Sequence, residues 1–151
     1  MAKKSSSRFV WKFGSIDRAL KKYTYNVMLN NNVDDMAMLH GYILHFLVKR
    51  EGQDVFQKDI EKEMKIAKSY VTGILKVFEE KGWIIRTSMK DDARLKKITL
   101  TEAGKKLDDD MRSSFDEVEK AIIQSLTNDE VNQLFNLLDK IENKLKEGIN
   151  A

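Results

Sequence analysis

The chain has 151 residues, 42% of them hydrophobic and 34% charged, with no proline and seven glycines. That length fits one domain, or one domain with an oligomerisation arm, and that composition favours long helices over a turn-rich β fold. The absence of cysteine excludes disulfides, thiolate metal sites and cysteine redox sensing.

The net charge of +3 becomes informative when it is divided along the chain. Residues 1–56 carry +4, residues 57–106 carry +5 and residues 107–151 carry −6. A basic middle is what a phosphate-binding surface requires, and the acidic end is unsuited to nucleic acid. No apolar run approaches the roughly 20 residues of a bilayer span. The basic start, residues 1–7, reads as frayed and is followed by no apolar h-region. The expectation is a cytoplasmic protein with no signal peptide and no membrane segment.

Phe9, Phe13, Ile16, Leu20, Tyr23 and Val27 recur at steps of four and three, one face of a first amphipathic helix. Asn30-Asn31-Asn32 ends it. Asp34 is the expected N-cap of a second helix, with Met36, Leu39, Ile43 and Phe46 facing inward. Residues 49–54 form a turn. Two helical segments then lie close together. The first, residues 57–65, puts Ile60 and Met64 on one face; the second, residues 67–81, buries Val71, Ile74, Leu75 and Phe78. A tight helix–turn–helix of this kind is a DNA-binding arrangement.

Gly82 stops the second segment. Residues 83–86 are β-prone, residues 87–93 are polar, and residues 96–100 alternate with Ile98 and Leu100 on one face. Two strands joined by a polar loop predict a β-hairpin, the wing. Thr101-Glu102-Ala103-Gly104 opens a helix of roughly 35 Å, in which Leu107, Met111, Phe115, Val118, Ile122 and Leu126 recur at helical steps. Thr127-Asn128-Asp129-Glu130 has the capping-box pattern. The last helix carries Val131, Leu134, Leu138, Ile141 and Leu145, a coiled-coil-like stripe. Such a stripe has to be buried, against the first helix and against the counterparts of both in a second chain.

Three segments carry a family resemblance. They are Ile60-x-x-x-Met64-x-Ile66 running into Lys68-Ser69-Tyr70-Val71-Thr72; Phe78-Glu79-Glu80-Lys81-Gly82-Trp83-Ile84-Ile85-Arg86; and Asp92-Ala93-Arg94 with Leu100-Thr101-Glu102-Ala103-Gly104 behind it. In this order and spacing the chain resembles the multiple antibiotic resistance regulator (MarR) family of winged-helix transcription factors. The resemblance covers nearly the whole chain. The expected architecture is mainly α with a small β-hairpin wing (α+β). Residues 33–100 form the winged helix-turn-helix, and residues 1–32 and 101–151 form a helical dimerisation region. Three positions depart from the family pattern: Ala67 replaces the usual Ser or Thr cap, Tyr70 replaces a smaller hydroxyl residue, and Gly73 stands where Arg is common.

Lys68, Ser69, Thr72 and Lys76 share the polar face of the recognition segment, with Tyr70 at its first turn. Lys68 suits a guanine or a phosphate, Ser69 and Thr72 suit phosphates or several bases, and Lys76 suits a phosphate. The competing reading of these residues is a solvated helix face. The resemblance implies that Arg94 reaches from the wing into the minor groove, where negative potential is concentrated. Lys90, Lys96 and Lys97 would attract phosphates, and Arg86 is counted on the same surface. Asp92 is expected to hold the wing by pairing with Arg86 or with Arg94. A homodimer would read a pseudo-palindromic operator on double-stranded DNA, with half-sites about one helical turn apart.

The resemblance also implies a cleft for a small aromatic or anionic effector, with Trp11, Phe13, His40, Tyr42, Phe46 and Tyr70 as candidate lining and His40 as an effector contact or pH sensor. His40 and His45 lie five apart on one helix, on different faces, which gives no metal site. No nucleophile elbow, Gly-rich phosphate loop or metal-ligand cluster occurs, so neither an enzyme nor a cofactor is expected. The leading expectation is a sequence-specific transcriptional regulator, a repressor released by an effector. The alternatives are a winged-helix protein-interaction module and a nonspecific architectural DNA-binding protein.

Overall fold

The computed structural model describes residues 8–150, so the reading of residues 1–7 lies outside the described residues. The elements in order are α1 (Arg8–Asn30), α2 (Asp35–Lys49), β1 (Val55–Phe56), α3 (Gln57–Met64), α4 (Lys68–Glu80), β2 (Ile84–Ser88), β3 (Lys96–Leu100), α5 (Glu102–Ile123) and α6 (Asn128–Asn150). The mainly helical class with a hairpin wing is borne out. The strand β1 was not expected: at two residues it is too short to show alternation. It adds a third strand to the wing, in the order β1-β3-β2, with Val55 opposite Ile98. The hairpin itself pairs Ile84 with Leu100, Arg86 with Ile98 and Ser88 with Lys96.

The chain falls into two compact units, one up to Ser114 and one from Phe115 onward. In the first, Ile43 and Leu44 of α2, Ile60 of α3, Val71, Leu75 and Phe78 of α4 and Ile84 of β2 are fully buried in one core. Each such side chain contributes roughly 1.5–3 kcal/mol relative to its exposed state. The inward face expected for α2 needs one correction. Leu39 is 67% exposed, whereas Ala37, Gly41, Leu44 and Leu47 are buried. Small residues set the phase of this helix: a side-chain carbon on Gly41 would overlap the Met111 thioether of α5. A search for large apolar residues passes over Ala37 and Gly41.

Local chemistry sets the element ends. The Asp34 side chain accepts from the Met36 amide at 2.8 Å, the expected cap of α2. Gly82, at φ 72°, closes α4 with a Schellman pair: the Trp83 amide donates to the Phe78 carbonyl and the Gly82 amide to the Glu79 carbonyl. Thr101 then ties the end of the wing to the start of α5. Its hydroxyl donates to the Gly82 carbonyl at 2.6 Å and accepts from the Gly104 amide at 3.1 Å. Gly104 sits so close to the Trp83 carbonyl that no side chain fits there.

In the second unit, the Thr127 amide donates to the Glu130 carboxylate at 2.7 Å and the Glu130 amide to the Thr127 hydroxyl at 3.3 Å, the capping box read from sequence. None of the residues of α6 is buried.

Candidate nucleic-acid interface

The helix–turn–helix is α3 and α4, separated by Lys65 in a left-handed conformation (φ 53°), Ile66 and Ala67. Ala67 is the N-cap of α4 and makes no side-chain cap bond, as its methyl group dictates. Apolar residues of α4 face the core, so its polar residues are turned out: Lys68, Ser69, Thr72 and Lys76 are exposed, and Tyr70 is half exposed. Lys76 stands 3.9 Å from Glu80, a loose pair on the helix surface.

The wing is shaped by Asp92, though not through the ion pair expected of it. Its carboxylate accepts from the main-chain amide of Arg94 at 2.9 Å, and its carbonyl accepts from the Leu95 amide at 3.0 Å. This is a side-chain turn closed on backbone, a habit of short acidic side chains. The exposed Arg94 guanidinium has no partner among the described residues, and Lys90 and Lys96 are exposed as well.

Arg86 does not share that freedom. Its guanidinium donates twice to the Glu79 carboxylate of α4, at 3.0 and 2.5 Å, and its side chain is only 20% exposed. The Arg86 hydrogen bond, with that guanidinium's charge, holds the Glu79 carboxyl below the usual carboxylate range. Arg86 is thus first a strut between wing and recognition helix. Lys97 is likewise engaged, with Asp54 at 2.6 Å.

Between α3, the start of α4 and the wing lies a groove of about 290 Å³. Lys58, Lys68, Arg86, Arg94 and Lys96 line it, with Glu61 as its single acidic residue. Lys58 was not among the residues singled out from sequence, because helix periodicity alone does not say that α3 borders the wing. Gln57 was also missed. Its side-chain amide, with two hydrogens among three acceptors, lies 2.9 Å from the Glu61 carboxylate, 2.8 Å from the Thr72 hydroxyl and 3.2 Å from the Lys68 carbonyl, which shares one of them.

Of the candidate effector residues, the structure brings three together. The His40 ring meets Tyr42 edge-on at 6.3 Å and Tyr70 at 5.6 Å between centroids. His40 Nδ1 is buried without a hydrogen-bond partner, and desolvation lowers the imidazole pKa. Trp11 and Phe13 are exposed on α1 and make no ring contact with this cluster. Phe46 is corrected from cleft to core: it is 6% exposed, with the Arg50 guanidinium 3.9 Å above its ring. It falls on the broad buried side of α2. His45 is separate, with Nδ1 3.2 Å from the buried carboxylate of Asp108. Among the described residues no group of three or more His, Asp or Glu side chains is placed to hold a metal ion, and no helix is long and apolar enough to cross a membrane.

A recognition helix with an exposed polar face, set beside a three-stranded wing, defines a winged helix-turn-helix protein. The MarR family model matches residues 34–95, from the cap of α2 to the wing tip. Solved structures agree over more of the chain. MepR, a transcription regulator of the Staphylococcus aureus multidrug efflux pump MepA, is 26% identical, with a TM-score of 0.75 over 91% of this chain and 98% of MepR. MepR in its complex with DNA gives 0.70 at the same identity, over 90% and 98%. The YusO protein of Bacillus subtilis, 20% identical, shares the fold at 0.76 over 95% and 98%. PefR of Streptococcus agalactiae, a heme sensor solved with heme, is 20% identical at 0.65 over 92% of each chain.

Proposed function

We propose that this chain is a cytoplasmic, non-enzymatic transcriptional regulator that binds double-stranded DNA with sequence preference, as a homodimer on a pseudo-palindromic operator, and acts as a repressor. The observation that carries the reading is the five-cation groove between helix and wing, with the Arg94 guanidinium unpaired at its edge. Clustered cations release counterions from DNA, and an outward polar helix face reads base edges. The similarity to MepR, which has been solved on DNA, supports it.

The dimer is supported by apolar residues that each unit leaves uncovered. Phe9, Trp11, Ile16 and Leu20 of α1 are 41–70% exposed, and Leu134, Leu138, Ile141 and Leu145 of α6 are 36–63% exposed. Residues 1–32 and 101–151 would supply that dimerisation region, and residues 33–100 the DNA-reading domain. For the effector, the His40–Tyr42–Tyr70 cluster suits a small aromatic or anionic molecule. Such a ligand would act by preferring one spacing of the two reading heads over another.

The test is an anisotropy titration of the gene's own upstream region against random duplex at several salt concentrations. Specific binding with a steep salt dependence is the expected result. Equal affinity for both duplexes would favour an architectural role, and no binding to either would favour a protein-docking module.

A further inference from the structure

We infer that Gln57, on the helix that precedes the recognition helix, is a positioning residue that fixes which base edge Thr72 can accept. The inference rests on the DNA-binding reading above and sharpens it to one side chain.

The hydrogen-bond inventory leaves Thr72 little freedom. A side-chain amide nitrogen only donates, and its two hydrogens serve three acceptors here: the two shortest contacts, Thr72 Oγ1 at 2.8 Å and Glu61 at 2.9 Å, take them, with the Lys68 carbonyl at 3.2 Å sharing one. The hydroxyl hydrogen is then committed to the Lys68 carbonyl, one turn back at 2.9 Å. The amide cannot be turned the other way. Its nitrogen also faces the Glu61 carboxylate and the Lys68 carbonyl, both pure acceptors, which would repel an amide oxygen. Glu61, one turn along α3, therefore holds Gln57, and Gln57 holds Thr72.

What remains to Thr72 is its methyl group and one oxygen lone pair. It has no hydrogen to give. In the major groove guanine offers two acceptors, which need donors; adenine and cytosine offer amino donors, and thymine offers a methyl group. Thr72 gripped in this way is suited to a thymine methyl or to an amino group, and unsuited to the guanine edge. A free threonine would rotate and donate where an acceptor appeared, so the discrimination belongs to the Gln57–Thr72 pair and not to Thr72 alone.

The experiment is selection of bound duplexes from a randomised library by the full-length protein, compared for wild type, Gln57→Ala, Thr72→Val and the double variant, with thermal midpoints recorded for each. Expected is a wild-type profile in which one base pair per half-site excludes guanine on the contacted strand by roughly tenfold. Gln57→Ala should admit guanine at that pair and leave the preferences at the other positions unaltered, with a thermal midpoint within about 2 °C of wild type. Adding Gln57→Ala to Thr72→Val should change the profile no further. A uniform loss of affinity with an unaltered profile, or an equal effect of Gln57→Ala when Thr72 is already Val, would overturn the proposal while the regulator reading stands. A wild type with no preference at any position would remove both.

Discussion

Arg86 of β2 and Glu79 of α4 form a two-donor ion pair on a single carboxylate oxygen, and this pair is the one side-chain bond that ties the wing to the recognition helix among the described residues. Under the proposed DNA-binding reading, their mutual angle would set how helix and wing tip meet neighbouring grooves. Glu79 is 40% exposed, so solvent screens part of the attraction. Arg86→Ala should lower stability by about 1 kcal/mol, a fall in thermal midpoint of about 2–4 °C for a chain of this size. The pH dependence follows from the lowered Glu79 pKa. The pair's contribution is full above the usual carboxyl value of 4.5 and is lost as pH falls through the lower folded value. Scanning calorimetry of both proteins at pH 7 and pH 3 checks this: the difference between them should shrink at pH 3.

Arg94→Ala should behave in the opposite manner. The guanidinium has no hydrogen bond or ion pair among the described residues, so its removal should leave the thermal midpoint unchanged. Binding to the operator should weaken about tenfold, equivalent to about 1.4 kcal/mol, with a shallower salt dependence. A loss of stability, or an unaltered affinity, would show that the wing tip serves another purpose.

Leu134→Glu combined with Leu145→Glu places two charges on the α6 stripe at positions 41% and 63% exposed in the single chain. The protomer should remain folded, with unchanged helical circular dichroism, while sedimentation reports a monomer at micromolar concentration. Operator affinity should then fall by more than about 100-fold, because two linked half-sites become one. Retention of the dimer would remove α6 from the interface.

His40 gives a pH prediction with a definite sign. Its pKa is lowered by desolvation, and the rings that face it edge-on are those of Tyr42 and Tyr70. Below the usual histidine value of 6.5 the unfolded chain binds a proton that the folded chain refuses. Stability is therefore full above pH 6.5 and falls as pH drops toward the lower folded value. His40→Leu should flatten this dependence, measured as urea midpoints at pH 7.5 and 5.5. Since Nδ1 is unpartnered, the variant should lose nothing at pH 7.5.

The sequence carried most of the fold because several levels of signal agreed. The heptad-like spacing of α6, the Asp34 and Thr127 caps and the Gly82 stop each depend only on nearby residues, so they were legible without a third dimension. The interface was legible in part. Outward residues of α4 follow from the inward ones, so Lys68, Ser69, Thr72 and Lys76 came out on the expected face. What was missed depends on contacts far apart in sequence. Arg86 looks like any strand cation until Glu79 is brought beside it. Asp92 looks like a salt-bridge partner until the turn presents it with a main-chain amide. Gln57 lies 15 positions from Thr72, and nothing in helix periodicity pairs them.

The middle place of β3 in the sheet has a kinetic corollary. Val55 and Ile98 are paired across 43 positions, and every residue of α3 and α4 lies inside that span. The helices can flicker locally, but their common scaffold closes only when the late strand is added at its centre. Closure of so long a loop precedes the contacts that reward it, which slows folding relative to a simple helical hairpin. A nascent chain still short of Lys96 would then hold helices α3 and α4 without the strand that seals them, and operator recognition would be among the last properties acquired during synthesis.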